Sequence, residues 1–455
     1  MTAKKAQRKS SVQKRFTTGF EVEFFIIDKK TGAIAHGADD ILKKAAETSQ
    51  GKTHNILKES AKNLIEVGSY PDVDGANTMT NLIEGLKLLT YVADELGLAV
   101  LPLGTYPGKV TPSMRTDKVR QKLFGRSRSQ ISGRVAGYHC HNSLPWGVFD
   151  SKALMLKRLE NSKNMETVVH AYNMAIALDP ALTTFMQSSP FYQGRHIAKD
   201  SRTVVYRGGE QFGLHIKGLY TNLSRFGALP PYEHSGADII NSIESRYNER
   251  MRAMRGAGIP EKDIPKYKSK LVTNWTPVKI NPHGTLEQRG MDMNHLPLVL
   301  SASVLVWRVL HHVQERHLTV VRHDVGKKEP FKLEKGTILV PPDAHVREHL
   351  QKLSALKGLE HDEMFEYCKR LVALVKQLDG KRVEWLLKPL DAMLEERQTT
   401  SDKILAQAKA LGYKDLKKIL PQGIAQEIAK THSKQMFEDI VLLEKMIGEN
   451  EKLTE

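Results

Sequence analysis

The sequence predicts an α/β or α+β core followed by a helical C-terminal region. Residues 18–28 are typical of a β-strand, because aromatic and β-branched side chains dominate and a Lys-Lys-Thr-Gly turn follows. Apolar side chains recur every three or four positions over residues 78–96, which is the period of an amphipathic helix. From residue 343 onward the chain keeps this helical period almost throughout, a pattern more typical of a bundle core than of a cofactor site.

The remaining elements are predicted from the same two periods. We expect further strands at residues 63–68, 98–103, 134–144, 271–280 and 284–291. We expect further helices at residues 38–47, 164–186, 236–254 and 296–321. Residues 256–270 are predicted to form a basic loop that could serve as a lid, and the Gly- and Pro-rich residues 325–342 to form a connector.

The composition is that of an ordinary soluble protein. Of the 455 residues, 40% are hydrophobic and 26% are charged. No apolar run approaches the roughly 18 residues that span a bilayer, so we expect no membrane segment. The two cysteines, Cys140 and Cys368, cannot form a disulfide framework, which favours a reducing, cytoplasmic setting.

The chain is strongly basic. Its net charge of +16 results from 68 Lys and Arg residues against 52 Asp and Glu residues. Such a charge suits acidic partners, namely nucleotides, carboxylate metabolites, nucleic acid or an anionic membrane. Part of it lies in residues 1–15, which contain no acidic residue and no hydrophobic signal segment. We expect these residues to form a disordered basic tail.

The first candidate site lies on the first predicted strand. Glu21 and Glu23 project from one face of that strand, while Phe20, Val22 and Phe24 project from the other, because side chains alternate along a strand. Two carboxylates side by side in a poorly solvated place are costly, and a divalent cation would remove the cost. A strand with one solvated face is the ordinary alternative.

A second acidic motif contains Glu59 and Glu66. Glu66 shares a strand face with Leu64 inside an apolar segment, where an unpaired carboxylate is expensive. The ordinary alternative is a salt-bridged or edge-strand glutamate.

A third motif is the sequence His139-Cys140-His141 on another predicted strand. The two histidines share a face, and histidine is a common ligand of divalent metals. Cys140 points to the opposite face and no second cysteine lies nearby, so the motif does not predict a structural zinc site.

Two further motifs bring arginines. Glu287 and Arg289 share a face of the last predicted strand, and the arginine fork is suited to hold phosphate oxygens beside a carboxylate–metal site. An exposed cross-strand pair is the alternative. Arg195, Arg202 and Arg207 lie on a Gly- and Ser-rich segment that could surround an anion, although a solvated basic loop has the same composition. The chain has no P-loop, dinucleotide-binding or Gly-x-Ser-x-Gly motif.

Taken in order, these motifs resemble the glutamate–cysteine ligase type 2 family, or carboxylate–amine ligases, of the glutamine synthetase-like superfamily. The resemblance covers residues 16–295 and rests on Gly-x-Glu21-x-Glu23, Glu59 with Glu66, Gly-Tyr-His139-Cys-His141, Ser-Pro-Phe-Tyr-Gln-Gly-Arg195 with Arg202, and Thr-Leu-Glu287-Gln-Arg289. It implies an α+β fold in which a curved antiparallel sheet, backed by helices, forms an active-site funnel. On this basis we expect a catalytic domain at residues 16–325 and a helical C-terminal region at residues 326–455.

The resemblance also implies roles for individual residues. The positions that match the family's metal ligands, for Mg²⁺ or Mn²⁺, are Glu21, Glu23, Glu59, Glu66, His139 and Glu287. Arg289 matches the arginine that stabilises the transferring phosphate, and Arg202 and Glu287 complete the predicted catalytic set. The residues assigned to the nucleotide or its phosphates are His141, Ser143, Arg195 and Arg207. Where the family commonly has His-x-His-x-Gly, this chain has Asn142-Ser143 after the second histidine.

The implied reaction is an ATP-dependent ligation of a carboxylate, glutamate or a related amino acid, to an amine through an acyl phosphate. The expected partners are small molecules, and the chain could form a homo-oligomer. A basic nucleic-acid-binding protein is a second hypothesis, but no basic strand with interleaved aromatic residues supports it. A catalytically silent scaffold of the same fold is a third, which the retained acidic residues disfavour.

Overall fold

A computed structural model of the chain describes residues 15–49, 55–115, 117–273 and 275–454. The predicted basic tail at residues 1–15 lies outside these residues except for Arg15. The described strands, in chain order, are β1 (Thr18–Asp28), β2 (Ile56–Lys58), β3 (Leu64–Gly68), β4 (Leu98–Leu101), β5 (Gly137–Ser143), β6 (Phe149–Asp150), β7 (Met155–Leu156), β8 (Phe191–Tyr192), β9 (Arg195–His196), β10 (Val278–Asn281), β11 (Thr285–Asp292), β12 (Thr319–Arg322), β13 (Leu333–Glu334) and β14 (Thr337–Val340).

The helices account for most of the other described residues. In chain order they are α1 (Ala38–Thr48), α2 (Gly75–Glu95), α3 (Lys118–Phe124), α4 (Arg126–Ser129), α5 (Lys163–Phe185), α6 (Ser201–Arg207), α7 (Ser224–Gly227), α8 (Gly236–Gly256), α9 (Leu296–Glu315), α10 (Val325–Lys328), α11 (Gln351–Lys357), α12 (Asp362–Asp379), α13 (Lys381–Glu396), α14 (Thr400–Ala410) and α15 (Gln422–Thr454). A π-helical turn, His345–Leu350, leads directly into α11. The predicted α+β class, with an antiparallel sheet and a helical C-terminal region, is confirmed.

The main sheet has seven strands, and its order is β10-β11-β5-β1-β3-β2 with β4 paired to the end of β1. Every pairing in this sheet is antiparallel. Strand β1 is central, because it pairs with β5, β3 and β4 over its 11 residues. The alternation of side chains on β1 therefore determines what each face of the sheet presents.

One face of the sheet belongs to the hydrophobic core. Phe20, Val22 and Phe24 are at most 2% exposed, and the ring of Phe20 lies 6.4 Å from the ring of Tyr138 on β5. Helices α2, α9 and α5 pack against β1, β5 and β11 on this side. Cys140 is buried here and faces away from the two histidines beside it, as its strand position predicts.

The C-terminal helices extend the helical layer behind the sheet. Helices α12 and α13 pack on α9, and α15 packs on α2, α9 and α13. Their apolar stripes join the core of the first 325 residues in one cluster of buried side chains. A small sheet, in which β12 pairs with β14 and β14 with β13, lies across the predicted domain boundary at residue 325.

The predicted extents of three segments need correction. The helix predicted at residues 296–321 ends at Glu315, because His317 has a left-handed backbone with φ 48°, and residues 319–322 form β12. The strand predicted at residues 271–280 begins only at Val278, just after Pro277, which has no N–H to donate to a ladder. The predicted connector at residues 325–342 contains α10, β13 and β14.

Among the described helices, α9 alone is long and apolar enough to cross a bilayer, with a mean hydropathy of 1.5 over its most apolar window. This corrects the expectation that no apolar run approaches that length. Because 72% of that window is buried inside the protein, α9 fits a core helix.

A buried ion pair joins the C-terminal helix α12 to α9. Asp379 at the end of α12 accepts hydrogen bonds from Arg308 on α9 and lies 2.9 Å from Nε2 of His312, and its side chain is 4% exposed. Burial opposes ionisation, yet these partners hold the pKa of Asp379 well below its usual value. Replacing one partner of a buried ion pair leaves the other charge buried without a partner, which destabilises the fold.

We expect Asp379→Asn to lower the free energy of unfolding by about 3 kcal/mol in urea denaturation at neutral pH. The difference from wild type should shrink in acid, because a carboxylate with a lowered pKa stabilises the fold only while it is ionised. Glu444→Gln is the matched control, since the pair of Lys87 and Glu444 also joins two helices but is 52% and 44% exposed. That change should cost about 1 kcal/mol or less, and equal losses in the two variants would show that Asp379 does not hold the layer.

Candidate active site

The polar face of the sheet is built on β1. Glu21 lies opposite His139 on β5, and Glu23 lies opposite Glu66 on β3. Phe20, Val22 and Phe24 are buried on the other face of the sheet. Because side chains alternate along β1, Glu21 and Glu23 both lie on the polar face. Cross-strand neighbours of this kind stand close enough to interact directly.

Three side chains form a first group of potential metal ligands. Glu21, His141 and Glu287 each offer a ligand atom, and these atoms lie within 4.8 Å of one another. Nε2 of His141 is 3.3 Å from Oε2 of Glu21, and Nδ1 of His141 is 3.0 Å from Oγ1 of Thr285. The family resemblance implies a nucleotide-side position for His141, whereas in the structure it lies among the candidate metal ligands.

Three carboxylates form a second group. Glu23, Glu59 and Glu66 also offer ligand atoms within 4.8 Å of one another. Burial, followed by the charge of Glu59, raises the pKa of Glu23 to about 8. Burial and the neighbouring carboxylates raise the pKa of Glu66 well above its ordinary value. Without a compensating cation, at least part of this group must take up protons.

His139 lies between the two groups. Its Nδ1 is 3.0 Å from Oε2 of Glu21, and its Nε2 is 3.7 Å from Oε1 of Glu23. Burial lowers the pKa of His139, which favours the neutral imidazole that binds metals. Glu23 also accepts a hydrogen bond of 2.6 Å from the backbone N–H of Gly137.

Glu287 is held in its ionised form. Nη1 of Arg289 donates to Oε1 at 2.9 Å, while Nδ2 of Asn281 donates to Oε2 at 2.6 Å and Nζ of Lys279 lies 3.4 Å from the same oxygen. Burial acts against ionisation, but Lys279 and Arg289 hold the pKa of Glu287 well below its usual value. Lys279 and Asn281 were not singled out from sequence. Their alternation on the strand before the Asn-Pro-His-Gly turn was the available signal.

Arg202 is buried and holds the backbone of β11 beside the site. The buried guanidinium donates from Nη1 to the carbonyl of Gly290 at 3.0 Å and from Nη2 to the carbonyl of Arg289 at 3.4 Å. A Cβ atom on Gly137 would lie 2.2 Å from Nη2 of Arg202, so this approach requires glycine. Arg202 is therefore placed to hold β11 at the register shift between Gln288 and Met291, and its charge also acts on Glu23 of the carboxylate face. Its predicted catalytic role stays a prediction.

Arg202 and Arg289 also share an aromatic partner. Their guanidinium carbons lie 5.9 Å and 5.5 Å from the ring of Trp275, which stacks on Tyr206 at 4.1 Å. Cation–π contacts of this kind fix the plane of a guanidinium. Trp275 lies within the strand predicted at residues 271–280, and nothing in the pattern of that segment indicates this role.

The remaining predicted nucleotide residues lie outside both ligand groups. Arg195 is exposed on the hairpin of β8 and β9. Arg207 approaches Asp179 at 3.9 Å and lines a cavity of about 640 Å³ together with Arg246 and Arg347. Oγ of Ser143 accepts a hydrogen bond from the backbone N–H of Thr17 at 2.8 Å. Their assignment to the nucleotide stays a prediction.

The donor set fits hard divalent cations. Carboxylate oxygens dominate both groups, which suits Mg²⁺ and Mn²⁺. Nε2 of His139 and Nε2 of His141 are buried, and neither has a hydrogen-bond partner among the described residues. Buried nitrogens without partners are costly, and coordination of a cation would satisfy them. The face could therefore bind cations and, through Arg289, an anion next to them.

Similar proteins were found by sequence. A protein of Jannaschia sp. (strain CCS1) is 26% identical over 219 residues, which are 48% of this chain and 49% of the relative. A protein of Leifsonia xyli subsp. xyli (strain CTCB07) is 24% identical over 240 residues, which are 51% of this chain and 56% of the relative. Both bear the name "Putative glutamate–cysteine ligase 2". The chain spans about half the length of the curated relatives it matches.

Solved structures share the fold at low sequence identity. The glutamate–cysteine ligase of Francisella tularensis, solved in complex with AMP, has a TM-score of 0.57 and 12% identity, with 96% of this chain and 93% of that chain covered. A bifunctional glutathione synthetase from Pasteurella multocida has a TM-score of 0.51 and 14% identity, with 94% of this chain and 52% of that chain covered. At such identities the likeness shows the fold alone.

The family comparison covers most of the sheet and its supporting helices. The sequence profile described as glutamate-cysteine ligase family 2 (GCS2) matches residues 17–339. The matched range includes every residue of the two groups of potential metal ligands, and it also includes Arg202 and Arg289. The chain therefore belongs to glutamate-cysteine ligase family 2, as the order of its sequence motifs predicts.

Proposed function

We propose that the protein is an ATP-dependent ligase that joins a carboxylate, glutamate or a related amino acid, to an amine through an acyl phosphate. The observation that carries this proposal is the pair of ligand groups on one sheet face, Glu21 with His141 and Glu287, and Glu23 with Glu59 and Glu66, beside the guanidinium of Arg289. Family membership and the fold shared with two ligases of related chemistry support it.

The two ligand groups would hold Mg²⁺ or Mn²⁺. When bound, such cations neutralise charge on the phosphates of ATP and orient them for transfer. The residues that would bind them are Glu21, His141 and Glu287 on one side and Glu23, Glu59 and Glu66 on the other, with His139 between. Lys279 and Arg289 keep Glu287 ionised and thus available as a ligand.

The proposed reaction has two steps. A carboxylate oxygen of the acid attacks the γ-phosphorus of ATP, the bond to the β,γ-bridging oxygen breaks, and ADP leaves. The nitrogen of the amine then attacks the acyl carbon, inorganic phosphate leaves, and the nitrogen loses a proton to give the amide. Arg289, held in plane by Trp275 and Glu287, is positioned to stabilise charge on the transferring phosphoryl group.

The proposed substrates are small molecules. The names of the sequence relatives make glutamate the first acid to test and cysteine one candidate among the amines. The net charge of +16 is consistent with anionic substrates. A cytoplasmic location is part of the proposal and is supported by the two buried free cysteines, Cys140 and Cys368.

ADP release with Mg²⁺, ATP, glutamate and a panel of amines tests this function. We expect at least one amine to stimulate ADP release, and Glu287→Ala to reduce kcat by about a hundredfold or more. Arg289→Lys keeps the charge but loses the planar fork, so its kcat should fall by about tenfold. Glu334→Ala, which changes an exposed strand glutamate outside this face, should retain wild-type activity. Absence of stimulation across a wider panel of acids and amines, or an unimpaired Glu287→Ala protein, would contradict the proposed mechanism.

The raised pKa of Glu23 makes the free energy of unfolding depend on pH. Its folded carboxyl binds a proton up to about pH 8, whereas an ordinary glutamate releases it near 4.5. The folded state therefore holds more protons than the unfolded state in this interval, and Glu23 costs increasing stability as pH rises through it. Glutamine cannot ionise and avoids this cost.

With a chelator present, we expect Glu23→Gln to become progressively more stable relative to wild type as urea denaturation is repeated from about pH 5 to about pH 8. Adding Mg²⁺ at the upper pH should stabilise wild type more than the variant, because the cation binds the ionised carboxylate. A pH-independent difference between the two proteins, or equal stabilisation of both by Mg²⁺, would refute the assignment of Glu23 as a buried metal ligand.

A further inference from the structure

A third group of potential ligands lies outside the carboxylate face. His345 and His349 are on the π-helical turn before α11, and Glu363 is in the first turn of α12. One ligand atom from each lies within 4.8 Å of the other two. None of these residues belongs to the proposed active site, and this inference does not depend on the ligase activity.

The backbone brings the two histidines side by side. Positions four apart face the same way on a helix, and the rings of His345 and His349 lie 4.8 Å apart with an angle of 33° between their planes. π-helical turns are rare and frequently occur at functional sites. The wider turn thus presents two imidazoles in one direction.

Glu363 faces both imidazoles from the second element. Its Oε1 is 2.9 Å from Nε2 of His345, and its Oε2 is 2.7 Å from Nε2 of His349. The same nitrogens that would bind a metal therefore already converge on the carboxylate. The side chains of His345, Glu363 and His349 are 18%, 34% and 48% exposed, so an ion can reach them and keep water as a further ligand.

Both supporting elements are fixed by the core. Gln351, one residue after the turn, donates to Asp179 on α5, and Ser354 lies 2.9 Å and 2.8 Å from the hydroxyls of Thr183 and Thr184. Met364 and Tyr367 of α12 are at most 2% exposed. The three ligand side chains are consequently held in place before any ion binds, which lowers the cost of binding.

We propose that His345, His349 and Glu363 form a binding site for a borderline divalent metal such as Zn²⁺, which would join the π-helical turn before α11 to the first turn of α12. Two neutral imidazoles and one carboxylate carry one negative charge and match the ligand set of open zinc sites. The carboxylate-rich groups on the sheet select harder cations. The two kinds of site therefore differ in the metal they prefer.

Cobalt(II) is the probe for this site, because it replaces zinc in nitrogen–oxygen sites and absorbs visible light when bound. The experiment uses the full chain with Glu287→Gln as parent, which weakens cobalt binding on the sheet face. Bound cobalt is measured by equilibrium dialysis and by its visible absorption band. His345→Ala with His349→Ala removes two ligands, and His215→Ala, which changes an exposed histidine elsewhere, is the matched control.

We expect the double change to remove about one equivalent of bound cobalt and its absorption band, while His215→Ala leaves both unchanged. Zn²⁺ should raise the unfolding temperature of the parent more than that of the double variant, which retains only the weakened sites on the sheet face. Glu363→Gln retains hydrogen-bonding capacity but is a poor ligand, so it should weaken cobalt binding by about tenfold even if the double variant does not fold. Undiminished cobalt binding in the double variant or in Glu363→Gln, or an equal loss in His215→Ala, would overturn the proposal.

Discussion

Carboxylates from several strands crowd together on the polar face of the main sheet, and the charged and apolar groups around them are arranged to tolerate this crowding. Five glutamates, Glu21, Glu23, Glu59, Glu66 and Glu287, belong to the two ligand groups on this face. Like charges at this distance and depth cannot all remain ionised without compensation. The protein compensates unequally, since Lys279, Arg289 and Asn281 serve Glu287 while Glu23 and Glu66 have raised pKa values. As a result, Glu287 is held ionised by its neighbours, whereas burial and neighbouring carboxylates favour the protonated forms of Glu23 and Glu66.

The helical layers make this arrangement rigid. The opposite face of the sheet is covered by α2 at β1, by α9 at β5 and by α5 at β11, so β1 cannot turn its glutamates toward bulk water without exposing Phe20, Val22 and Phe24. Behind β11, Gln288 donates to Asp179 on α5 at 3.0 Å, and Arg202 fixes the carbonyls of the next two residues. The C-terminal helices pack on the same layer. Packing behind the sheet therefore fixes the positions of the potential metal-binding side chains on its polar face.

Sequence reasoning succeeded where a local period determines the answer. Alternation predicts Glu21 and Glu23 on one face of β1, His139 and His141 on one face of β5, and Cys140 opposite the histidines, and the structure agrees. Element ends and contacts that depend on residues far apart in the sequence were not predicted correctly. The apolar pattern that ends α9 continues into β12, and only the left-handed backbone at His317 separates them. The pairing of β12 with β14 and the convergence of Lys279 on Glu287 likewise depend on partners that local sequence does not specify.

We propose that the carboxylate face binds the divalent cations that accompany ATP. The most direct test is anomalous diffraction from crystals of the protein grown with Mn²⁺ and a non-hydrolysable ATP analogue. We expect one manganese peak within coordination distance of Glu23, Glu59 and Glu66 and another within coordination distance of Glu21, His141 and Glu287. We expect the triphosphate to lie between these peaks and Arg289. Manganese peaks that avoid these six residues, or a triphosphate bound away from Arg289, would contradict it.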